Sequence, residues 1–215
     1  PQAAGLAALL ADRDPLQRGA PGDLALRLEA LSDPKRFEQR RPYKIERPIL
    51  ERIKLETRRL KPFCPDISPN FSKAQMAAMA YPDRIAMRRK GLPPRYLLSS
   101  GKGAILVAED SPLTQRLLVA TDLDGDPKEA RIRTAISISE AELRELFALQ
   151  FCWQNTCSWS KRERRVLARS QERFGAIVLN DRFWKDAPPT AFSLAMLTGV
   201  RDLGLHLDDS VKRFL

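Results

Sequence analysis

Arg84, Arg88, Arg89, Lys90, Arg95 and Lys102 crowd into one short stretch with Tyr81 and Tyr96 beside them, and Arg131 and Arg133 flank Ile132 further on. Guanidinium and ammonium groups neutralise phosphates, and tyrosine rings offer flat surfaces on which unpaired bases stack. Together they are the chemistry of single-stranded RNA or DNA binding. Phosphate contacts release condensed counterions, so binding through them weakens as salt rises. A second basic surface holds Lys161, Arg162, Arg164, Arg165 and Arg169, with Arg173 beyond it. The competing reading is a solvated surface whose charges face water and whose tyrosines sit partly in a core.

Other chemistries fail on spacing. Gly101-Lys102-Gly103 has glycine where a phosphate-binding loop needs Ser or Thr after its lysine, and the motif's first glycine is absent. With no Asp-Glu-x-His box either, the chain is expected to hydrolyse no ATP and to hold no cofactor of its own. Asp122, Asp124 and Asp126 alternate like the first ligands of a calcium loop. The sixth and twelfth positions of that loop, however, hold Pro127 and Arg133 in place of Gly and Glu, and a turn between strands suits the aspartates better. His206 has no partner at ligand spacing, and Cys64, Cys152 and Cys157 form neither a CxxC pair nor an even disulfide set. Cys152 and Cys157, set among aromatics, read as packing residues. No nucleophile, base and orienting group can be assembled, so neither a catalytic residue nor a metal ligand is expected.

Lys and Arg outnumber Asp and Glu by 37 to 27 across 215 residues, a net charge of +10. That suits a partner carrying phosphates and says nothing about fold. The cysteine usage fits a reducing, cytoplasmic setting. No apolar run approaches the ~20 residues of a membrane span, so no membrane partner is expected. The chain opens at Pro1 in what reads as the middle of a helix, and a piece of a longer polypeptide is expected, with an upstream signal left open.

The elements that must position these residues change character along the chain. Residues 1–70 read as helical. Leu6, Leu9 and Leu10 share one face, Asp23 caps a helix carrying Leu24, Leu28 and Leu31, and Pro48 opens a charged helix striped by Ile49, Leu50, Ile53 and Leu60. Arg52, Lys54, Arg58 and Arg59 lie off that stripe, as a solvated face or a nucleic-acid contact. Residues 71–150 begin with a helix capped by Asn70 or Ser72 and ended by Pro82, after which the period falls to two. Strands are expected at 85–89, 95–99, 104–107, 117–121 and 130–138. Five short strands with Gly or Pro turns predict a small closed barrel, OB-like first and SH3-like second. Ser139 and Glu142 then form a capping box for a helix faced by Leu143, Leu146, Phe147 and Phe151. Residues 151–215 predict a β-hairpin over 156–168 and 174–179, then a helix over 189–203 stopped by Gly204. The fold class is α+β, multi-domain.

At AYPDRIAMRR, RYLLSSGKGAIL, LLVATDLDG and ARIRTAISIS, the chain resembles the HrpB branch of bacterial DExH-box ATP-dependent helicases. GLAALLADRDPL and DLALRLEAL resemble the helical region after that family's two motor domains, and SWSKRERRVLARSQERFGAIVL resembles a later WD…VxARxxxRxGALVL segment. Leu207-Asp208-Asp209-Ser210 departs from the usual Leu-Pro-Trp-Ser, and Trp153 to Cys157 replaces a commonly acidic stretch. The resemblance implies a segment C-terminal to the motor: the end of a ratchet-like helical bundle, an OB-like domain and an α+β segment. It also implies that ATP and magnesium belong to motor domains outside this chain. Two functions are expected. One is an accessory region guiding single-stranded RNA or DNA past the motor domains of the same polypeptide. The other is a protein-interaction module docking on those domains or on a regulatory partner.

Overall fold

In the computed structural model, residues 2–64, 71–106, 115–126 and 129–204 are described. The chain divides into two compact units, one of residues 1–148 with 175–177 and one of residues 149–174 with 178–215.

The first unit begins with four helices, α1 (Gln2–Ala11), α2 (Leu24–Ser32), α3 (Pro34–Arg40) and α4 (Arg47–Leu60). Asp23 caps α2, its carboxylate accepting the Ala25 N–H, as expected. Helix α3 was not expected, because Pro34 reads as a stop. Here it stands at the first helical position, where its missing N–H costs nothing, and the Asp33 carboxylate accepts from Arg36 N–H. Leu16, Leu26, Ala30, Phe37, Ile45 and Leu50 form the helical core. Arg27 is 4% exposed and fills the gap beside it. It forms a bidentate pair with Asp14, at 3.2 and 2.6 Å, and also donates to the backbone carbonyls of Pro21 and Asp23.

Helix α5 (Lys73–Ala80) starts in a complete capping box of Ser72 and Gln75, and a 3₁₀ turn at Pro82–Arg84 leads into the barrel. The strands are β1 (Ile85–Arg88), β2 (Arg95–Leu98), β3 (Gly103–Leu106), β4 (Leu117–Leu123) and β5 (Glu129–Ser137), close to their expected bounds. They close in the order β1-β2-β3-β5-β4, with β3 parallel to β5 and β4 returning antiparallel to β1. This is the five-stranded Greek-key barrel of the OB type, which decides between the two barrels anticipated. Ala86, Tyr96, Leu98, Ala104, Leu106, Leu118, Ala120, Ile132 and Ala135 fill the interior. Alanines beside leucines and one ring fit the narrow, tapering lumen of so small a barrel.

The helical segment adds to the barrel wall. Gly22-Asp23 lies alongside β5, where the Ala135 N–H donates to the Gly22 carbonyl at 2.8 Å and Asp23 forms a parallel bridge with Ala135. A β-carbon at Gly22 would collide with the Arg133 carbonyl, so only glycine allows this approach. Helix α6 (Glu140–Phe147) follows β5 with the predicted Ser139–Glu142 capping box.

The second unit holds β6 (Phe151–Ser160), β7 (Arg165–Phe174) and β8 (Ile177–Phe183) in one sheet of that order, then α7 (Pro189–Leu203) ended by Gly204 at φ 76°. The sheet has three strands where a hairpin of two was expected. Phe151, expected on a helix, opens β6, and the charged run Lys161–Arg164 is the turn between β6 and β7. The expected strand over 156–168 is split by that turn into the end of β6 and the start of β7, and the unexpected first half of β6, FCWQN, carries no β-branched residue, so its alternation is faint. Helix α7 packs on β6 and β7, and a β-carbon at Gly199 would stand 2.6 Å from the Trp159 ring.

Candidate nucleic-acid interface

Strand alternation sorts the barrel residues. With Tyr96, Leu98, Ala104, Leu106 and Ile132 turned inward, Arg95, Leu97, Ile105, Arg131 and Arg133 stand on the outer face of β2, β3 and β5. The register pairs Arg95 with Ile105 and Ile105 with Arg131, so two guanidiniums flank an apolar side chain across three strands. Each arginine on this face has a carboxylate partner: Arg95–Glu129 at 3.3 Å, Arg131–Asp124 at 4.0 Å and Arg133–Asp122 at 4.0 Å. The three side chains are 56, 69 and 64% exposed, and ion pairs that open to water contribute only about 0–1 kcal/mol. An incoming phosphate can therefore replace these carboxylates at little cost. The 2–3 strand face is the surface on which barrels of this type bind oligonucleotides.

The other barrel candidates lie at the two ends. At one end Arg88 closes β1 half-buried, its N–H donating to the Arg116 carbonyl at 2.8 Å, while Arg89 and Lys90 are exposed in the β1–β2 connection. Arg116, which the sequence reading missed, adds a cation here and pairs with Glu140 at 2.7 Å. At the opposite end Lys102 is exposed in the β2–β3 turn, and Arg84 lies over the Tyr81 ring at 4.6 Å while reaching the Thr121 carbonyl at 3.5 Å.

Tyr96 requires a correction. Its ring is 0% exposed inside the barrel, its hydroxyl points to the Gln115 carbonyl at 3.4 Å, and burial raises its pKa above the ordinary phenol value. It is a core residue and offers no surface to a base. Its place on β2 has the inward phase, opposite to that of Arg95 and Leu97.

Asp124 and Asp126 shape the β4–β5 connection, Asp124 accepting the Arg131 N–H at 2.6 Å and Asp126 the Glu129 N–H at 3.4 Å. On the helical segment, Arg52 pairs with Asp12 and holds that carboxyl below the usual range, Lys54 pairs with Glu51 at 2.9 Å and Arg59 with Glu56 at 3.1 Å. These are marks of a solvated helix face. His206 and residues 207–210 lie outside the described residues. Among the described residues, no group of three or more His, Cys, Asp or Glu side chains is arranged to hold a metal, and no helix is long and apolar enough to cross a membrane.

In the second unit, Lys161 pairs with Asp202, Arg165 with Glu163 at 2.7 Å and Arg169 with Asp181 at 4.0 Å. Arg162 and Arg164 are exposed on the β6–β7 turn, Arg164 with φ 48°. Cys152, expected as a packing residue, is exposed. The sequence reading also missed Arg182, whose guanidinium lies 4.1 Å from the centre of the Trp153 ring. Reading 151–160 with period two would have put Trp153 on a sheet face and drawn attention to it.

A helical segment that completes the wall of an OB-type barrel, followed by a small sheet with one helix, defines an α+β region of two units. The protein it resembles is HrpB. The chain is 30% identical over 136 residues to the ATP-dependent RNA helicase HrpB of Escherichia coli (strain K12), an alignment covering 62% of this chain and 17% of that protein. Two solved structures share the fold over 94% of the chain and 23% of theirs. One is a crystal structure of E. coli DExH-box NTPase HrpB, at TM-score 0.57 and 24% identity. The other, of Escherichia coli DEAH/RHA helicase HrpB, gives 0.56 and 22%. The chain thus spans less than a quarter of the relatives it matches. No family model matches it. The resemblance read from the sequence is present in both sequence and fold.

Proposed function

We propose that this chain is the accessory nucleic-acid-binding region of an ATP-dependent helicase of the HrpB type, lying C-terminal to the motor domains and guiding single-stranded RNA or DNA past them. The observation that supports this most is the row Arg95–Ile105–Arg131 across the 2–3–5 face of an OB-type barrel, its exposed guanidiniums paired with the half-buried carboxylates of Glu129 and Asp124. Arg89, Lys90 and Lys102 extend the same positive field at the barrel ends. The region supplies position and charge; ATP hydrolysis and magnesium belong to the motor domains. Titration of the chain with labelled single-stranded oligonucleotides at 50 and 200 mM salt tests the reading. Salt-dependent binding without ATPase activity is the expected result, and absence of affinity at low salt overturns it.

A second reading, docking on the motor domains of the same polypeptide, is favoured by α7, which leaves Leu194, Met196, Leu197, Val200 and Leu203 exposed. Apolar side chains gathered on one helix face are a common mark of a protein contact. A pulldown against separately expressed motor domains, with and without Leu197→Glu, separates the two readings.

A further inference from the structure

The barrel candidates supply cations, but of the two rings expected beside them Tyr96 is enclosed in the core and Tyr81 is half-buried under Arg84. An exposed ring is found elsewhere. Trp153 stands on β6 directly across from Glu172 of β7, 46% exposed, with Arg182 lying over it. Trp159, six residues along the same strand and on the same face, is where α7 packs through Gly199. The helix therefore covers one end of the sheet face and leaves the Trp153 end open.

We propose that the Trp153–Arg182 pair is a stacking platform for an unpaired nucleobase, a second contact with single-stranded nucleic acid independent of the barrel. This goes beyond the barrel reading while resting on the same class of ligand. A planar guanidinium on an indole is held by the ring's quadrupole, and both arginine planes and aromatic rings are surfaces on which splayed bases stack. A pair serving packing alone would be expected to bury its tryptophan, since that ring carries a large apolar area. Here Trp153, Arg182, Asn155 and Asn180 are all exposed, so flat surface and amide groups able to read base edges lie within one small sheet. Glu172, the carboxylate opposite Trp153 on the same sheet face, is 8% exposed and accepts from the Asn180 amide at 2.5 Å, so its charge is buried and hydrogen-bonded beneath the platform. The surrounding charge suits a polyanion: residues 149–204 hold nine Lys and Arg against five Asp and Glu.

The test uses the full 215-residue chain, with single-stranded oligonucleotides of equal length, one carrying bases throughout and one with a run of abasic sites. Thermal melting of each variant confirms folding. Trp153→Ala and Arg182→Ala are expected to lower affinity for the base-bearing strand by about 5- to 100-fold, the effect of losing one stacked base. They are also expected to erase most of its advantage over the abasic strand and to leave the salt slope unchanged. Trp153→Phe, which keeps a ring, is expected to restore most of the affinity. If Trp153→Ala binds both strands as the parent does while Arg131→Glu with Arg133→Glu does not bind, the platform is overturned and the barrel reading stands. If the barrel variant binds normally and Trp153→Ala is impaired, the barrel reading falls and the platform stands. A parent chain that binds neither strand at low salt overturns both.

Discussion

Ser72 and Glu142, seventy residues apart, join the starts of two helices: the Ser72 hydroxyl donates to Glu142 Oε1 at 2.6 Å. Ser72 is at the same time the cap of α5, accepting the Gln75 N–H at 3.1 Å, and Glu142 closes the capping box of α6 by accepting the Ser139 N–H at 2.8 Å. Gln75 repeats the link one turn on, donating to Glu145 at 2.8 Å. Two local devices thereby become one tertiary clamp.

Partial burial by itself would raise the Glu142 pKa, but the hydrogen bonds from Ser72 and Ser139 together outweigh it and hold the carboxyl below its ordinary value. A depressed carboxyl stabilises the fold above its unfolded pKa, about 4.3, and that stability is lost as pH falls through the folded value. Melting of the parent and of Glu142→Gln as a function of pH checks this. The variant is expected to be less stable at pH 7, and the two curves are expected to converge as pH falls through the folded pKa of Glu142.

Arg27 is the cation whose loss should cost most. Removing one member of a buried pair costs about 3–5 kcal/mol, and Asp14 is 41% exposed, which places Arg27→Ala near the lower end. Asp14→Asn should cost less, since the Arg27 contacts to the Pro21 and Asp23 carbonyls survive it. Urea denaturation of both variants measures the difference.

Gly199→Ala should loosen the second unit. The added methyl meets the Trp159 ring at 2.6 Å, so α7 must lift from the sheet or the indole must turn, and overpacking of this kind costs about 1–3 kcal/mol. Trp159 emission and susceptibility of α7 to limited proteolysis are the readouts.

Charge reversal on the barrel face should act through salt. Each phosphate contact on a single strand contributes about 0.7 to the slope of log K against log salt. Arg131→Glu with Arg133→Glu is expected to lower affinity at 50 mM salt and to flatten that slope by about 1.4 if each arginine holds one phosphate. Anisotropy titrations across a salt series read both quantities.

Much of the barrel was legible in the sequence because its signals are local. Gly101, the Gly-Leu-Pro-Pro stretch and Asp124 to Asp126 mark turns, and the alternation in Ala130 to Ile138 announces a strand with one wet face. The Ser139–Glu142 capping box was legible for the same reason. What escaped notice depends on distant partners or on phase. Tyr96 looks the same in sequence whether its strand turns it inward or outward, and only the pairing with β1 and β3 settles that. Pro34 begins a helix here because Asp33 ends one helix and caps the next. Trp153 and Arg182 lie on separate strands with β7 between them, so no spacing in the sequence announces their contact. The candidate site was accordingly readable as a composition of cations and much less as a geometry.

The glycine at position 22 bears on how the protein can be taken apart. β5 is longer than the stretch it shares with β3, and the amide of Ala135 would lack its partner if Gly22 were not there to receive it. The loop before α2 is therefore a borrowed stave of the barrel. A protein cut between the helices and the first strand would leave that amide without its partner, and the helical piece is expected to restore stability to the barrel when the two pieces are mixed.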